Sequence, residues 1–379
     1  MNKIYFFKNV YKMIIQGNNL QYQLEKKLGK GTYGTTYLAA GSDGQYYAVK
    51  KFRNFHNFID LGYSENKAQI KVQQANKDRE FEEATLGAIL SICQQYATCF
   101  IESINFQDNI FIVMSLIDGI SVEEAIFKKL SLQDRIDRGQ KFIKDLVNGL
   151  HSLHNLGLIH QDIKSENLIY NPQTDSTKFI DFGLSCLVNN AVKVGGLQVF
   201  GMRINAPCGS IGTITTAPPE MFEHDQDGTL LVNENDDPIP DEGIYPVNFL
   251  TAHDIWSIAC VILHWYIRWS SSVEFGPMYT EEFATGRMVK QFHKVKQYDP
   301  IAYNVLCRLM DRDPIMRIQN FQDVYNYYNG WFSSLPEYLS NITDYNITVL
   351  VRNGLIHSRC NLTNAFSYDQ LDITPEQCQ

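Results

Sequence analysis

Leu158-Ile159-His160-Gln161-Asp162-Ile163-Lys164-Ser165-Glu166-Asn167-Leu168-Ile169-Tyr170, followed by Phe179-Ile180-Asp181-Phe182-Gly183, is the text on which the reading of this chain turns. Apolar pairs flank a polar centre, an Asn171-Pro172 turn follows, and a second apolar run ends in Asp181. Two short β-type runs joined by turn chemistry gather Asp162, Lys164, Asn167 and Asp181 around one small volume. That set suits a divalent cation beside a polyphosphate. Mg²⁺ takes oxygen ligands and is held by one or two carboxylates plus substrate phosphates, so Asn167 and Asp181 suffice as protein ligands. Asp162 is left to receive or orient a hydroxyl proton, and Lys164 to offset charge on a transferring phosphoryl group.

The spacing Asp-x-Lys-x-x-Asn followed by Asp-Phe-Gly resembles the catalytic core of the eukaryotic-type protein kinase family. A loop that merely satisfied its own polar groups would need none of these offsets. The resemblance implies a two-lobed α+β fold with a small β-rich N-lobe and a larger, mostly helical C-lobe. It also implies ATP and Mg²⁺ as cofactors and a protein hydroxyl as acceptor.

Upstream lies Leu28-Gly29-Lys30-Gly31-Thr32-Tyr33-Gly34-Thr35-Thr36. Three glycines at this spacing also occur in dinucleotide folds, but there a helix follows directly. Here a β-type run, a Gly41-Ser42-Asp43-Gly44 turn and Tyr46-Tyr47-Ala48-Val49-Lys50 follow, so the glycines belong to a hairpin. Alone, this would be an ordinary glycine-rich hairpin with a surface lysine. Beside the catalytic stretch it resembles the kinase phosphate-covering loop, in which glycine lets the backbone approach the phosphates and Lys50 reaches them.

Lys50 then needs an anion from a helix. Residues 81–90 offer Glu82 and Glu83; Glu83 places Phe81, Leu86 and Leu90 inward, whereas Glu82 aligns Leu86 and Ile89. The expected partner is Glu83. The polar, Asn/Gln-rich residues 53–77 read as a loop with one frayed helical turn. Residues 100–106 and 110–116 read as strands about Gln107-Asp108-Asn109. By the resemblance, Met114 lies behind the base and residues 115–117, Leu116 among them, form the hinge whose backbone bonds the purine. Leu28, Thr36, Ala48 and Ile169 sandwich it, with Thr36 in place of the usual valine.

Residues 136–156 have helical periodicity. His151 and His154 lack a third ligand at a suitable offset and read as packing groups, and His160 as a brace for the catalytic loop. The run 181–220 resembles an activation segment. Glu220 is expected to pair with Arg317, and Asp254-Ile255-Trp256-Ser257 matches the family's central helix. Lys164 and Thr213 resemble the serine/threonine branch. Gln161 replaces the arginine that phosphorylation-activated kinases place before the catalytic aspartate, so activation-segment phosphorylation is expected to be unnecessary.

A length of 379 residues allows one two-lobed domain, and the net charge of -9 argues against a general nucleic-acid or membrane-surface binder. Eight cysteines form no C-x-x-C pair, so free thiols and a cytoplasmic location are expected. The apolar run 255–269 contains His264 and Arg268 and is too short to span a bilayer, which makes it a buried core helix. Sequons at Asn341, Asn346 and Asn361 read as chance matches. The expected division is a leader 1–21, a kinase domain 22–336 with N-lobe 22–114, hinge 115–117 and C-lobe 118–336, and a tail 337–379 of unassigned role. An acidic insertion, 223–242, has some EF-hand loop offsets and reads as a solvated loop. The alternative to an active enzyme is a pseudokinase that binds nucleotide and scaffolds. Joint retention of Lys50, Asp162, Asn167 and Asp181 speaks against it.

Overall fold

The computed structural model describes residues 13–30, 34–107, 109–187, 191–194, 197–200, 212–213, 216–222, 247–268, 287–311 and 314–335. Contacts divide the chain into two units, Met1–Asp118 and Gly119–Gln379.

The first unit is a six-stranded antiparallel sheet of β1 (Ile14–Gln16), β2 (Gln21–Lys30), β3 (Gly34–Gly41), β4 (Tyr46–Phe52), β5 (Phe100–Phe106) and β6 (Asn109–Ser115), ordered β1-β2-β3-β4-β6-β5. Ile15, Tyr22, Leu24, Ala39, Val49, Ile104, Phe111 and Val113 form its core. Glu102 on β5 accepts from the Asn18 backbone N–H at 2.8 Å and from the Tyr22 hydroxyl at 2.6 Å, which draws the two margins of the sheet together. The leader reading is therefore corrected for its last residues, because Ile14–Gln16 pair with β2 and Ile15 is buried. A three-residue strand is too short to show the alternation that identifies one.

The loop expected at 53–77 is also corrected. It contains α1 (Phe55–Asp60) and the first half of α2 (Glu65–Ala88). Asn54 and Asn57 form a reciprocal capping box that starts α1. Straight-chain polar residues suit the α2 backbone, while Ala68, Val72 and Ala75 recur at helical spacing and pack on Phe58 and Ile59. Alanine carries so little hydrophobic signal that this stripe reads as polar. After α3 (Cys93–Tyr96), Cys99 returns to within 5.0 Å of Cys93 by Cα and bonds to it, which corrects the free-thiol reading for this pair; Cys186 is disulfide-bonded as well. A single helical turn between the two cysteines produces that approach, and six-residue spacing does not announce it.

The second unit begins with β7 (Ile120–Ser121), α4 (Val122–Glu124) and α5 (Leu132–Asn155). α5 starts four residues before the periodicity predicts, because Ser131 and Asp134 cap it reciprocally. Next come β8 (Leu158–Ile159), β9 (Leu168–Asn171), β10 (Ser176–Phe179) and β11 (Cys186–Leu187), with β9 pairing β7 and β10, and β8 pairing β11. Strands β12 (Ala191–Val194) and β13 (Leu197–Phe200) pair within the segment that the sequence left without elements.

Helix α6 (Val247–Ile267) is buried on all sides from residue 250 to 266. The Trp265 ring stacks on Phe142 of α5 at 4.0 Å and its indole N–H donates to the Arg135 carbonyl at 2.7 Å. Helices α7 (Arg287–Tyr298), α8 (Pro300–Leu309) and α9 (Pro314–Tyr328) complete the unit. Among the described residues no helix is long and apolar enough to cross a membrane. The acidic insertion, the three sequons and the tail lie outside the described residues.

Candidate active site

In the first unit the glycine-bearing strands pair in register, Gly29 with Thr36 and Lys30 with Thr35, while Gly31, Thr32 and Tyr33 lie outside the described residues. Gly34 is required by close approach, since a Cβ there would sit 2.8 Å from the Lys51 carbonyl oxygen. Thr36 faces Lys50, Leu38 faces Ala48, and Ala48 in turn faces Met114 on β6. Met114 is buried, Thr36, Ala48 and Leu116 are half-buried, and Leu28 is exposed.

The Lys50 ammonium donates to both carboxylate oxygens of Glu82, at 2.7 and 2.9 Å, with Glu82 only 1% exposed. Glu83 was the expected partner, and the structure corrects it. Glu83 instead pairs with Arg79 one helical turn away, at 3.1 Å. The reason is the helix stripe. Ala68, Ala75, Glu82 and Ile89 are seven residues apart and buried, Leu86 is buried with them, and Leu90, which the Glu83 choice required inward, is 53% exposed.

In the second unit, Asp254 of α6 organises the loop between β8 and β9. Its carboxylate accepts the backbone N–H groups of His160 at 2.7 Å and Gln161 at 2.8 Å, and approaches His154 Nε2 at 3.0 Å. Burial alone would raise the pKa of this carboxyl, but the hydrogen bonds and charges of His154 and His253 outweigh it and hold the group well below the usual range. His160 braces the loop from within. Its Nδ1 accepts from the Asp162 N–H at 3.3 Å, which leaves Nε2 protonated to donate to the Ile180 carbonyl at 3.2 Å. The ring packs against Phe182 at 5.0 Å.

Asp162 is 8% exposed and sits at the centre of a network. Lys164 Nζ reaches its carboxylate at 3.0 Å, Asn167 Nδ2 donates to it at 2.8 Å, and the Thr213 hydroxyl donates to it at 2.5 Å. Lys164 also donates to Thr213 at 2.9 Å. Because Asn167 spends its N–H₂ on the carboxylate and main chain of Asp162, its amide oxygen is the atom free to meet a metal. The β9–β10 hairpin places Ile180 N–H on the Asn167 carbonyl at 3.0 Å, so Asp181 follows directly. Asp181 has φ 60°, a left-handed conformation costly for a non-glycine residue, and an exposed side chain. Asn167 and Asp181 each carry an oxygen of the type that Mg²⁺ takes. Ile169 is half-buried on β9.

The end of the activation segment is fastened to this loop. Gly212 has φ 65°, and a Cβ there would meet the Gln161 carbonyl oxygen at 1.9 Å, so only glycine fits. Ser257 of α6 donates to the Thr216 carbonyl at 2.8 Å. Arg317 donates to Glu220 at 2.6 and 3.1 Å, to the carbonyls of Ala252 and Asp311, and lies over the Trp256 ring at 4.9 Å. The two histidines weighed as a metal pair go separate ways, His154 to Asp254 and His151 onto the Tyr325 ring at 3.5 Å. The direct contacts of Thr213 and Asp254 with the catalytic loop were not foreseen. Both arise from residues at least 49 positions away, which no local pattern reveals.

The family model for the protein kinase domain matches residues 22–230, more than half of the chain. The chain belongs to the protein kinase family. This kinase is 29% identical over 174 residues to the probable serine/threonine-protein kinase fnkB of Dictyostelium discoideum, covering 46% of this chain and 30% of that one. It is 28% identical over 167 residues to the serine/threonine-protein kinase ppk18 of Schizosaccharomyces pombe, 44% of this chain and 11% of that one. A longer alignment, 266 residues at 24% identity, joins it to the serine/threonine-protein kinase cds1 of the same yeast and covers 70% of this chain and 48% of the relative. The kinase therefore aligns with less than half the length of each of these relatives.

Proposed function

We propose that this kinase transfers the γ-phosphoryl group of ATP to a serine or threonine hydroxyl of a protein substrate. The single observation that carries the reading is the Asp162–Lys164–Thr213 network, in which a carboxylate held 3.0 Å from an ammonium already accepts a threonine hydroxyl at 2.5 Å. An acceptor hydroxyl that took the place of Thr213 would meet the same carboxylate oxygen. Asp162 then orients that hydroxyl and takes its proton, while Lys164 offsets negative charge on the transferring group. Lys50, fixed by Glu82, offers its ammonium to the nucleotide phosphates. Asn167 Oδ1 and the Asp181 carboxylate would hold Mg²⁺, which when bound neutralises phosphate charge. His160 and Asp254 contribute by keeping the loop in place.

The serine/threonine relatives support this acceptor class. The test is timed ATP-dependent labelling of a generic basic protein, with phospho-amino-acid analysis, for the kinase and its Asp162→Asn variant. Phosphoserine or phosphothreonine should form, and Asp162→Asn should lower turnover by roughly 10² or more with ATP affinity nearly intact. Labelling on tyrosine, no labelling by the wild type, or a variant retaining more than about a tenth of the rate would overturn it.

A further inference from the structure

The Cys93–Cys99 disulfide lies beside Ser115, the first residue of the stretch 115–117 that the kinase resemblance assigns to the purine, so the inference rests on the proposed ATP-dependent function. Every polar group of Ser115 is engaged by the residues beside the disulfide. Its N–H donates to the Cys99 carbonyl at 2.9 Å, its hydroxyl oxygen accepts the Cys99 N–H at 2.8 Å, and its carbonyl accepts the Thr98 hydroxyl at 2.9 Å. Ser115 is thereby anchored through all three of its polar groups, with one lone pair of its carbonyl still open. The position of Leu116 and Ile117 depends on Ser115, and Ser115 depends on residues 98–99. Cys99 is tied to the short helix α3, which is separated from α2 by the turn at residues 89–92.

The two cysteines differ in exposure. Cys93 is 2% exposed, whereas Cys99 is half-buried beside a helix whose Gln94 and Gln95 are exposed. Thiol exchange requires access to one sulfur, and the partly exposed Cys99 is the residue through which it would proceed.

We propose that Cys93 and Cys99 form a reversible thiol–disulfide site that sets nucleotide affinity through Ser115, with dithiol reductants as its reaction partners. A dithiol thiolate attacks Cys99 Sγ, the Cys93–Cys99 bond breaks, and Cys93 leaves as a thiolate that takes up a proton. The second thiol of the reductant then attacks the mixed disulfide and expels the Cys99 thiolate, which is protonated in turn. The reductant departs as its disulfide, and the protein has gained two electrons and two protons. Opening the ring frees residues 94–99 from a closed seven-residue loop, lowers the fraction of molecules with Ser115 in place, and weakens nucleotide binding in proportion to that fraction.

The experiment compares the full-length kinase with its Cys93→Ser/Cys99→Ser variant, each with and without dithiothreitol, with the state of each disulfide mapped by mass spectrometry. Two quantities are read: the ATP dissociation constant and hydrogen exchange at residues 115–117. Reduction should weaken ATP binding to the wild type by roughly three- to tenfold and speed exchange at those amides. The double variant should match the reduced wild type and show no response to reductant, which separates this site from the Cys186 disulfide. Equal exchange in oxidised and reduced wild type would overturn the proposal. So would equal ATP affinity in the two states, or a reductant effect that persists in the double variant. Failure to bind ATP in either state would instead refute the nucleotide reading, with hydrogen exchange still deciding whether the disulfide governs Ser115.

Discussion

Replacing Glu82 by Gln and, separately, Glu83 by Gln should have very different effects, although the two residues are neighbours and both are glutamates. Glu82 is 1% exposed and the Lys50 side chain 14% exposed, so neither charge can turn to bulk water when its partner is removed. One-sided loss of a buried pair costs about 3 to 5 kcal/mol. Glutamine keeps an acceptor oxygen near Lys50, which puts the expected cost at the lower end, about 3 kcal/mol. If that loss falls on the placement of Lys50 in the transition state, kcat/KM drops by roughly 10². Glu83 is 35% exposed and pairs with Arg79 as a surface i,i+4 couple, so its loss costs about 0.3 to 0.5 kcal/mol and changes kcat/KM by about twofold at most. Initial rates on a generic basic protein, with urea denaturation of each variant as a control for folding, give the answer. Glu83→Gln falling as far as Glu82→Gln, or Glu82→Gln staying within about threefold of wild type, would refute the reasoning.

Arg317→Met should lower the urea midpoint by the equivalent of about 3 to 5 kcal/mol, because Glu220 is left charged and buried; a loss below about 1 kcal/mol would mean the pair contributes nothing net. Acid should destabilise the kinase between pH 6.5 and 4. Burial pushes His264 down to about 4, and burial together with the charge of His154 does the same to His151, so the unfolded chain takes up protons in that window while the folded one does not. Stability is therefore fully present above 6.5 and is lost as pH falls toward 4, by up to about 3 kcal/mol for the fully buried His264. Melting curves across this range check it, and His264→Phe should flatten the acid limb. Broad phosphatase treatment should leave turnover within about tenfold, since Gln161 is 1% exposed and Thr213 already holds the segment against Asp162. Mass spectrometry must show the segment bare, and a larger fall would point to Lys193 or Arg203 as a phosphate anchor.

Much of the site was legible because its chemistry is local. Asp162, Lys164 and Asn167 lie within six residues, and the turn that returns the chain to Asp181 is written in Asn171-Pro172. The hairpin carrying Gly34 and Lys50 announced itself in the same way, by alternation about a Gly-Ser-Asp-Gly turn. The failures share a cause. Choosing between Glu82 and Glu83 required knowing how far the helix extends upstream, and its upstream stripe is alanine, which periodicity hardly weighs. Once Ala68 and Ala75 are placed on the buried face, Glu82 follows by the seven-residue repeat. The Cys93–Cys99 bond depends on a single turn of helix, and β1 on three residues, both below the length at which pattern carries information.

The attachment of His160 and Gln161 to Asp254 also dictates an order of events during synthesis. The carboxylate that holds their N–H groups is encoded 94 and 93 residues downstream. At ribosomal speed that is a delay of roughly 5 to 20 s, during which the catalytic loop exists without its organiser. The catalytic loop therefore cannot make these two hydrogen bonds until the start of α6 has been synthesised.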